Sequence, residues 1–355
     1  MKFDGVAIRC CRRLVRCLVL LKMKTLITSG KEDLQLIEVP DLVPGVGYIL
    51  AAPILVGVCG TDLEIIGGKI NPDFVAYPAT IGHEWVGRVI SVGPDQDSSL
   101  IGKRIVAEGI VPCMNCHECS NGNTNRCATY SEIGFTLPGA GAEQILVPIS
   151  QIHIVGDAVS NESAVLVEPT SVVTRGFLKI NPSHNAKVLI IGDGTIALIA
   201  ARLIRTWNPT LVHMLGLKEE QSDLAKIAGA DEFLTRPLDI KYDLIVDASG
   251  APSRISEALN QLVRGGTLLL IGFTGYKVPT TMFVDDIVTG DLNIFGSFSY
   301  SRKAWTQAVE LLNSGKLDLS FLITHRFAFN SFAKAVEALR SAPAPRGKIV
   351  MELGL

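Results

Sequence analysis

Lys187-Val188-Leu189-Ile190-Ile191-Gly192-Asp193-Gly194-Thr195-Ile196-Ala197 decides the fold. The run up to Ile191 is continuous and apolar, as a strand buried on both faces requires. Gly192 and Gly194 make a turn, and 195–206 then reads as an apolar helix. The turn fits G-x-G-x-x-G/A, with Ala197 in the third glycine's place. In a strand-turn-helix setting this pattern brings backbone amides and a helix N-terminus to a pyrophosphate. Asp193 lies inside the turn, and its carboxylate is expected to point away from the pyrophosphate it would otherwise repel.

Working outward, strands and helices alternate: a strand at 211–215, a helix at 219–228, a strand at 244–246, a helix at 252–262 and a strand at 267–271. This alternation predicts an α/β doubly wound parallel sheet, a Rossmann domain over 174–297. Upstream, 162–178 has helical spacing, with Ser160 or Asn161 as cap. From 24 to 155, short apolar runs alternate with Gly, Pro, Asn and Asp, which predicts a β-rich, barrel-like domain over 23–173. Past residue 298 come a helix capped by Ser301 and stopped by Gly315, a second helix near 331–340, and a strand at 348–352. This tail is too small for a domain and is expected to return to the first one.

A chain of 355 residues is too long for one ordinary core, which agrees with two domains. Its formal net charge of -2, with no basic stripe, gives no reason to expect nucleic acid or an anionic membrane as partner. No apolar run reaches the roughly 18 to 20 residues of a membrane span. The first 22 residues carry Arg9, Arg12, Arg13 and Arg16 without a long apolar stretch, and read as a loosely held extension before Met23.

Two groups of residues have metal-ligand chemistry. Cys113, Cys116, Cys119 and Cys127 offer four thiolates in a polar lobe at 109–128, enough to close a tetrahedral, structural zinc site. His117 lies within the loop but is not needed. Such crowding favours metal over disulfides and suits a reducing cytoplasm. Cys59-Gly60-Thr61-Asp62 and Gly82-His83-Glu84 supply the second group. Cys59, His83 and a carboxylate, either Glu168 (before Pro169) or Glu84, would make three ligands and leave one position open for chemistry. Asp62 would orient His83, and Thr61 would pass a proton.

The candidate dinucleotide residues are Gly192, Gly194, Thr195, Ile196, Gly216, Lys218 and Ser249. Where an NAD-binding chain carries an acid after the second strand, this chain has Gly216-Leu217-Lys218. That favours NADP over NAD, the alternative being that Lys218 faces solvent and Glu219 or Glu220 holds the ribose.

Together, Cys59-Gly60-Thr61-Asp62, Gly82-His83-Glu84, the spaced cysteines, Glu168-Pro169 and the glycine turn resemble the zinc-dependent alcohol dehydrogenases of the medium-chain dehydrogenase/reductase family. The resemblance implies a GroES-like catalytic domain, a Rossmann domain, and dimers or tetramers. It implies hydride transfer between a zinc-held alcohol and a nicotinamide. Glu168 stands where the ethanol-oxidising branch has a cysteine, which is similar to the polyol, sugar and threonine dehydrogenases. The expected partner is a small alcohol or carbonyl compound, with Glu64, Phe135 and Phe298 as pocket candidates. The rival expectations are a zinc-free alkene or quinone reductase of the same superfamily, and a non-catalytic zinc module that binds a partner.

Overall fold

The computed structural model describes residues 22–275 and 278–354. The extension read at 1–22 therefore lies outside the described residues, except for Lys22, which opens the strand Lys22–Thr28.

The first domain is organised on Tyr48–Val58, an eleven-residue strand buried along most of its length. It pairs antiparallel with Trp85–Val92 and Ile145–Pro148, and the sheet continues through Arg104–Ala107 to Ile152–Ile154. On its other side lies Lys348–Glu352, antiparallel, with Ile349 opposite Val58 and Val350 opposite Gly57. Ile323–Ala328 follows in parallel. The end of the chain thus completes the first domain's seven-stranded sheet. That register sets Lys348 next to the end of the strand that leads into Cys59.

The second domain is a six-stranded sheet whose neighbouring strands are all parallel. Its order is Glu232–Leu234, Leu211–Leu215, Lys187–Ile191, Tyr242–Asp247, Leu262–Leu270 and Asn293–Gly296. The order reverses beside Lys187–Ile191, so the turn after that strand opens at the switch point where such sheets bind ligands.

Several boundaries differ from the sequence reading. The helix read at 162–178 is two helices, Asn161–Ala164 and Val167–Ile180. Pro169 explains the break: it has no N–H to offer Val165 and is tolerated only in a helix's first turn. Ser160 caps the first piece, its Oγ accepting the Ser163 N–H at 3.1 Å. The helix read at 219–228 begins as a 3-10 turn, Glu219–Gln221, before Ser222–Ala228. The helix read at 252–262 stops at Leu259, because Leu262 already belongs to the next strand. Ser301 does stand at the N-terminus of Arg302–Asn313, but its side chain makes no capping bond.

One apolar core joins the two domains. It runs from Leu55 and Val86 through Val173 and Phe177 of Val167–Ile180 to Val188, Ile190 and Leu198, and includes Trp305, which is 1% exposed. The helix carrying Glu168 is therefore held from both sides.

Candidate active site

The strand Tyr48–Val58 ends one residue before Cys59, which leads into the short helix Gly60–Ile66. Asp62, in that helix's first turn, is 1% exposed, and each of its oxygens stands beside one candidate ligand. Oδ2 accepts the Cys59 N–H at 2.8 Å, and Oδ1 lies 3.4 Å from His83 Nδ1. One carboxylate therefore steadies two candidate ligands, as partners behind metal-bound groups do. Burial opposes its ionisation, but His83 and the Cys59 amide keep its carboxyl below the usual range. Burial likewise opposes charge on His83, and Asp62 and Cys59 outweigh it, holding the ring well above the ordinary imidazole range.

The ligand atoms of Cys59, His83 and Glu84 lie within 4.8 Å of one another. Bonds of roughly 2.0–2.3 Å to a shared zinc demand this kind of spacing, and thiolate, imidazole and carboxylate are its usual donors. Glu168, the other carboxylate weighed from sequence, is outside this set of three. Burial, and then the charge of Glu84, push its carboxyl up to about 8. Burial raises a carboxylic acid and a second acid nearby raises it further, so a cation among these groups would lower both. The residues fit a zinc ion.

Thr61 Oγ1 lies 3.7 Å from Cys59 Sγ. Phe135 packs on His83, ring centroids 5.3 Å apart. The other two pocket candidates stand less close: Glu64 is exposed on its helix, and Phe298 is half-exposed, its carbonyl accepting Asn125 Nδ2 at 2.8 Å.

Sequence reasoning missed two groups. Lys348, 3% exposed, forms an ion pair with Glu84 Oε2. Burial opposes its charge, but Glu84 and then Cys59 keep it above the usual lysine range. Glu132, on Ser131–Glu132, is pushed up to about 7 by burial, with His83 pulling the other way. A lysine opening a strand and a glutamate near a turn carry no local signal of a shared site.

The cysteine lobe forms a separate cluster. The sulfurs of Cys113, Cys116, Cys119 and Cys127 are within 4.8 Å of one another, and all four thiols are unpaired. Four thiols so close cannot all ionise without a cation. The Cys113 thiol is lowered to about 6, chiefly by the Asn115 N–H, while burial pushes Cys119 up to about 12. The donor set fits zinc and leaves no open position. Asn125 Nδ2 and Thr124 Oγ1 tie the lobe to Phe298 and Arg302. Cys127→Ser is therefore expected to remove one metal per chain and lower Tm by about 5 °C or more. Metal analysis and calorimetry of the variant check this.

A cleft of about 480 Å³ joins the candidate metal residues to the glycine turn. Cys59, Glu84 and Lys348 line one side, and Asp193, Gly194, Thr195 and Ile196 the other. Gly192 has φ +124°, which favours glycine, and a Cβ on Gly194 would meet nothing within 4 Å. That leaves an open cradle of main chain at the start of the helix Thr195–Ile204, the setting that takes a pyrophosphate. Lys218 is exposed at the rim, with Leu217 and Gln221 beside it. Gly216 is filled over by the Asp193 side chain. Ser249 is engaged in its own turn: Oγ donates to Asp247 Oδ1 at 2.7 Å and accepts the Ala251 N–H at 3.1 Å. Ala248 lines the cleft instead.

The chain matches the alcohol dehydrogenase GroES-like domain over residues 46–157 and the glucose dehydrogenase C-terminus over 161–342. It is 30% identical to the starvation-sensing protein RspB of Escherichia coli K12 over 88% of this chain and 94% of that one. It is also 30% identical to D-arabinitol dehydrogenase 1 of Uromyces fabae, over 80% of this chain and 84% of that one. The crystal structure of an E. coli CFT073 alcohol dehydrogenase, rspB, complexed with NADH superposes with a TM-score of 0.88 at 28% identity, covering 94% of this chain and 99% of that one. The chain belongs to the zinc-dependent alcohol dehydrogenases of the medium-chain dehydrogenase/reductase family.

Proposed function

We propose that the protein moves hydride between a secondary alcohol of a polyol, sugar or related polar molecule and a nicotinamide dinucleotide. One observation carries this reading: Cys59 and Glu84, whose ligand atoms lie within 4.8 Å of each other and of His83, line the same cleft as the glycine turn. D-arabinitol dehydrogenase 1 among the relatives supports the polyol class.

Cys59, His83 and Glu84 would hold a catalytic zinc, leaving a fourth position open. Bound there, zinc supplies a Lewis acid for the substrate's oxygen. Asp62 keeps Cys59 and His83 in position, and Lys348 balances the charge of Glu84. The Thr61 hydroxyl passes the alcohol proton towards solvent. The cysteine lobe would hold a second, structural zinc, giving two per chain. Thr61→Val is expected to lower kcat about 10²-fold or more while zinc content stays the same. Steady-state rates and metal analysis check both halves.

The dinucleotide is one with an ADP-ribose core. The NADP preference read from Gly216-Leu217-Lys218 is set against the Asp193 carboxylate, which occupies the space beside Gly216. Copies are proposed to associate through the outer strand Asn293–Gly296 and the nearby exposed Phe283, Val284 and Val288. A monomer by analytical ultracentrifugation would refute that. Among the described residues no helix is long and apolar enough to cross a membrane. Among the described residues five cysteines are unpaired, which fits the reducing cytoplasm we assign; cell fractionation would check this.

The deciding experiment follows absorbance of the reduced nicotinamide with polyols, sugars and amino alcohols, using both cofactors. Turnover of a polyol or sugar that EDTA abolishes supports the reading. Turnover of activated alkenes in metal-free protein would overturn it.

A further inference from the structure

In Rossmann sheets that take NAD, an acid at the end of the second strand accepts the 2′-hydroxyl of the adenosine ribose. Here that place is Gly216. A missing side chain can leave room for a phosphate, or room for another residue. The geometry shows the second case. A Cβ placed on Gly216 would lie 2.7 Å from both Cβ and Oδ2 of Asp193, and 2.5 Å from Phe233 Cζ. Carbon atoms pack at about 3.5–4.0 Å, so a side chain at 216 and the Asp193 side chain exclude each other.

Asp193 comes from the glycine turn on the neighbouring strand and crosses to the second. Its Oδ2 accepts the Leu217 N–H at 2.8 Å. Its carbonyl accepts Gln221 Nε2, also at 2.8 Å, and Gln221 in turn exchanges hydrogen bonds with the Arg346 main chain. The carboxylate is thus braced at the Gly216–Leu217 peptide, in space that a side chain at 216 would need. It lines the same cleft as Gly194 and Thr195.

We propose that Asp193 is the acceptor for the adenosine ribose 2′-hydroxyl, and that it makes the chain select NAD over NADP. This rests on the dinucleotide reading of the cleft. A carboxylate accepts from a hydroxyl but repels a 2′-phosphate, so the discrimination is largely repulsive. Two cations stand nearby. Lys218 is exposed, where water and salt screen it. Arg346 already donates Nη1 to Leu339 O at 2.9 Å. NAD and NADP share the pyrophosphate and differ at the ribose 2′-oxygen. Asp193 addresses the one group in which they differ.

The test is calorimetric binding of ADP-ribose and of 2′-phospho-ADP-ribose to the full chain. Neither fragment carries the nicotinamide, so turnover plays no part. The wild type is expected to hold ADP-ribose at least about tenfold more tightly, a difference of about 1.4 kcal/mol. Asp193→Asn retains an oxygen for the Leu217 N–H and removes the charge, so the preference is expected to shrink about tenfold, mainly through better binding of the phosphorylated fragment. Tighter wild-type binding of 2′-phospho-ADP-ribose would overturn the assignment by itself, whether or not the variant folds. So would an Asp193→Asn variant that weakens both fragments alike and leaves their ratio unchanged. Binding of neither fragment would overturn the dinucleotide reading, and this inference with it.

Discussion

Cys59→Ser is expected to lower kcat/KM by at least about 10³-fold and to halve the zinc content, leaving the dinucleotide affinity unchanged. A serine hydroxyl does not ionise near neutral pH, so the cluster loses its soft anionic donor while His83 and Glu84 remain. A 10³-fold loss corresponds to about 4 kcal/mol of transition-state stabilisation. Zinc lowers the pKa of bound water from about 15.7 to about 7, an effect of about 12 kcal/mol, so losing the ion outweighs losing a proton relay worth about 10²- to 10⁴-fold. Binding should survive because the cradle at Gly192 and Gly194 is built on the other domain. Zinc retained in the lobe would distinguish local loss from unfolding. Full activity in the variant would refute the assignment.

Lys348→Met is expected to cost about 3–5 kcal/mol of stability. Lys348 is 3% exposed and Glu84 2%, and they pair directly. Methionine matches the stem of lysine but strands the buried Glu84 carboxylate near a second acid, Glu168, whose carboxyl is raised by burial and then by the charge of Glu84. Lys348→Arg keeps the charge and should recover much of the loss. Thermal unfolding of the two variants with the metal removed isolates this effect from metal binding. Equal midpoints for wild type and Lys348→Met would show that the pair contributes nothing net.

The second domain was legible because a parallel sheet covered on both faces leaves unbroken apolar runs, and Val188 to Ile191 is one. The four lobe cysteines were legible from spacing alone, since all lie on one short loop. Glu84 and Glu168 could not be ranked that way, because ligand distance depends on how the strand Trp85–Val92 and the helix Val167–Ile180 meet. Lys348 was invisible for the same reason: only the pairing of Ile349 with Val58 brings it to Cys59. Asp193 was visible as an anomaly, but the direction of its side chain depends on the neighbouring strand. The glycine at 216 read as an open place, whereas in the fold another residue's carboxylate covers it.

The central claim is that Cys59, His83 and Glu84 hold an ion facing the cofactor cleft. Anomalous diffraction at the zinc edge, from crystals of the full chain grown without added metal, tests it most directly. Two peaks per chain are expected, one inside the four lobe sulfurs and one about 2.3 Å from Cys59 Sγ and about 2.0–2.2 Å from His83 and a glutamate oxygen. A single peak in the lobe, with Cys59, His83 and Glu84 bare, would contradict it.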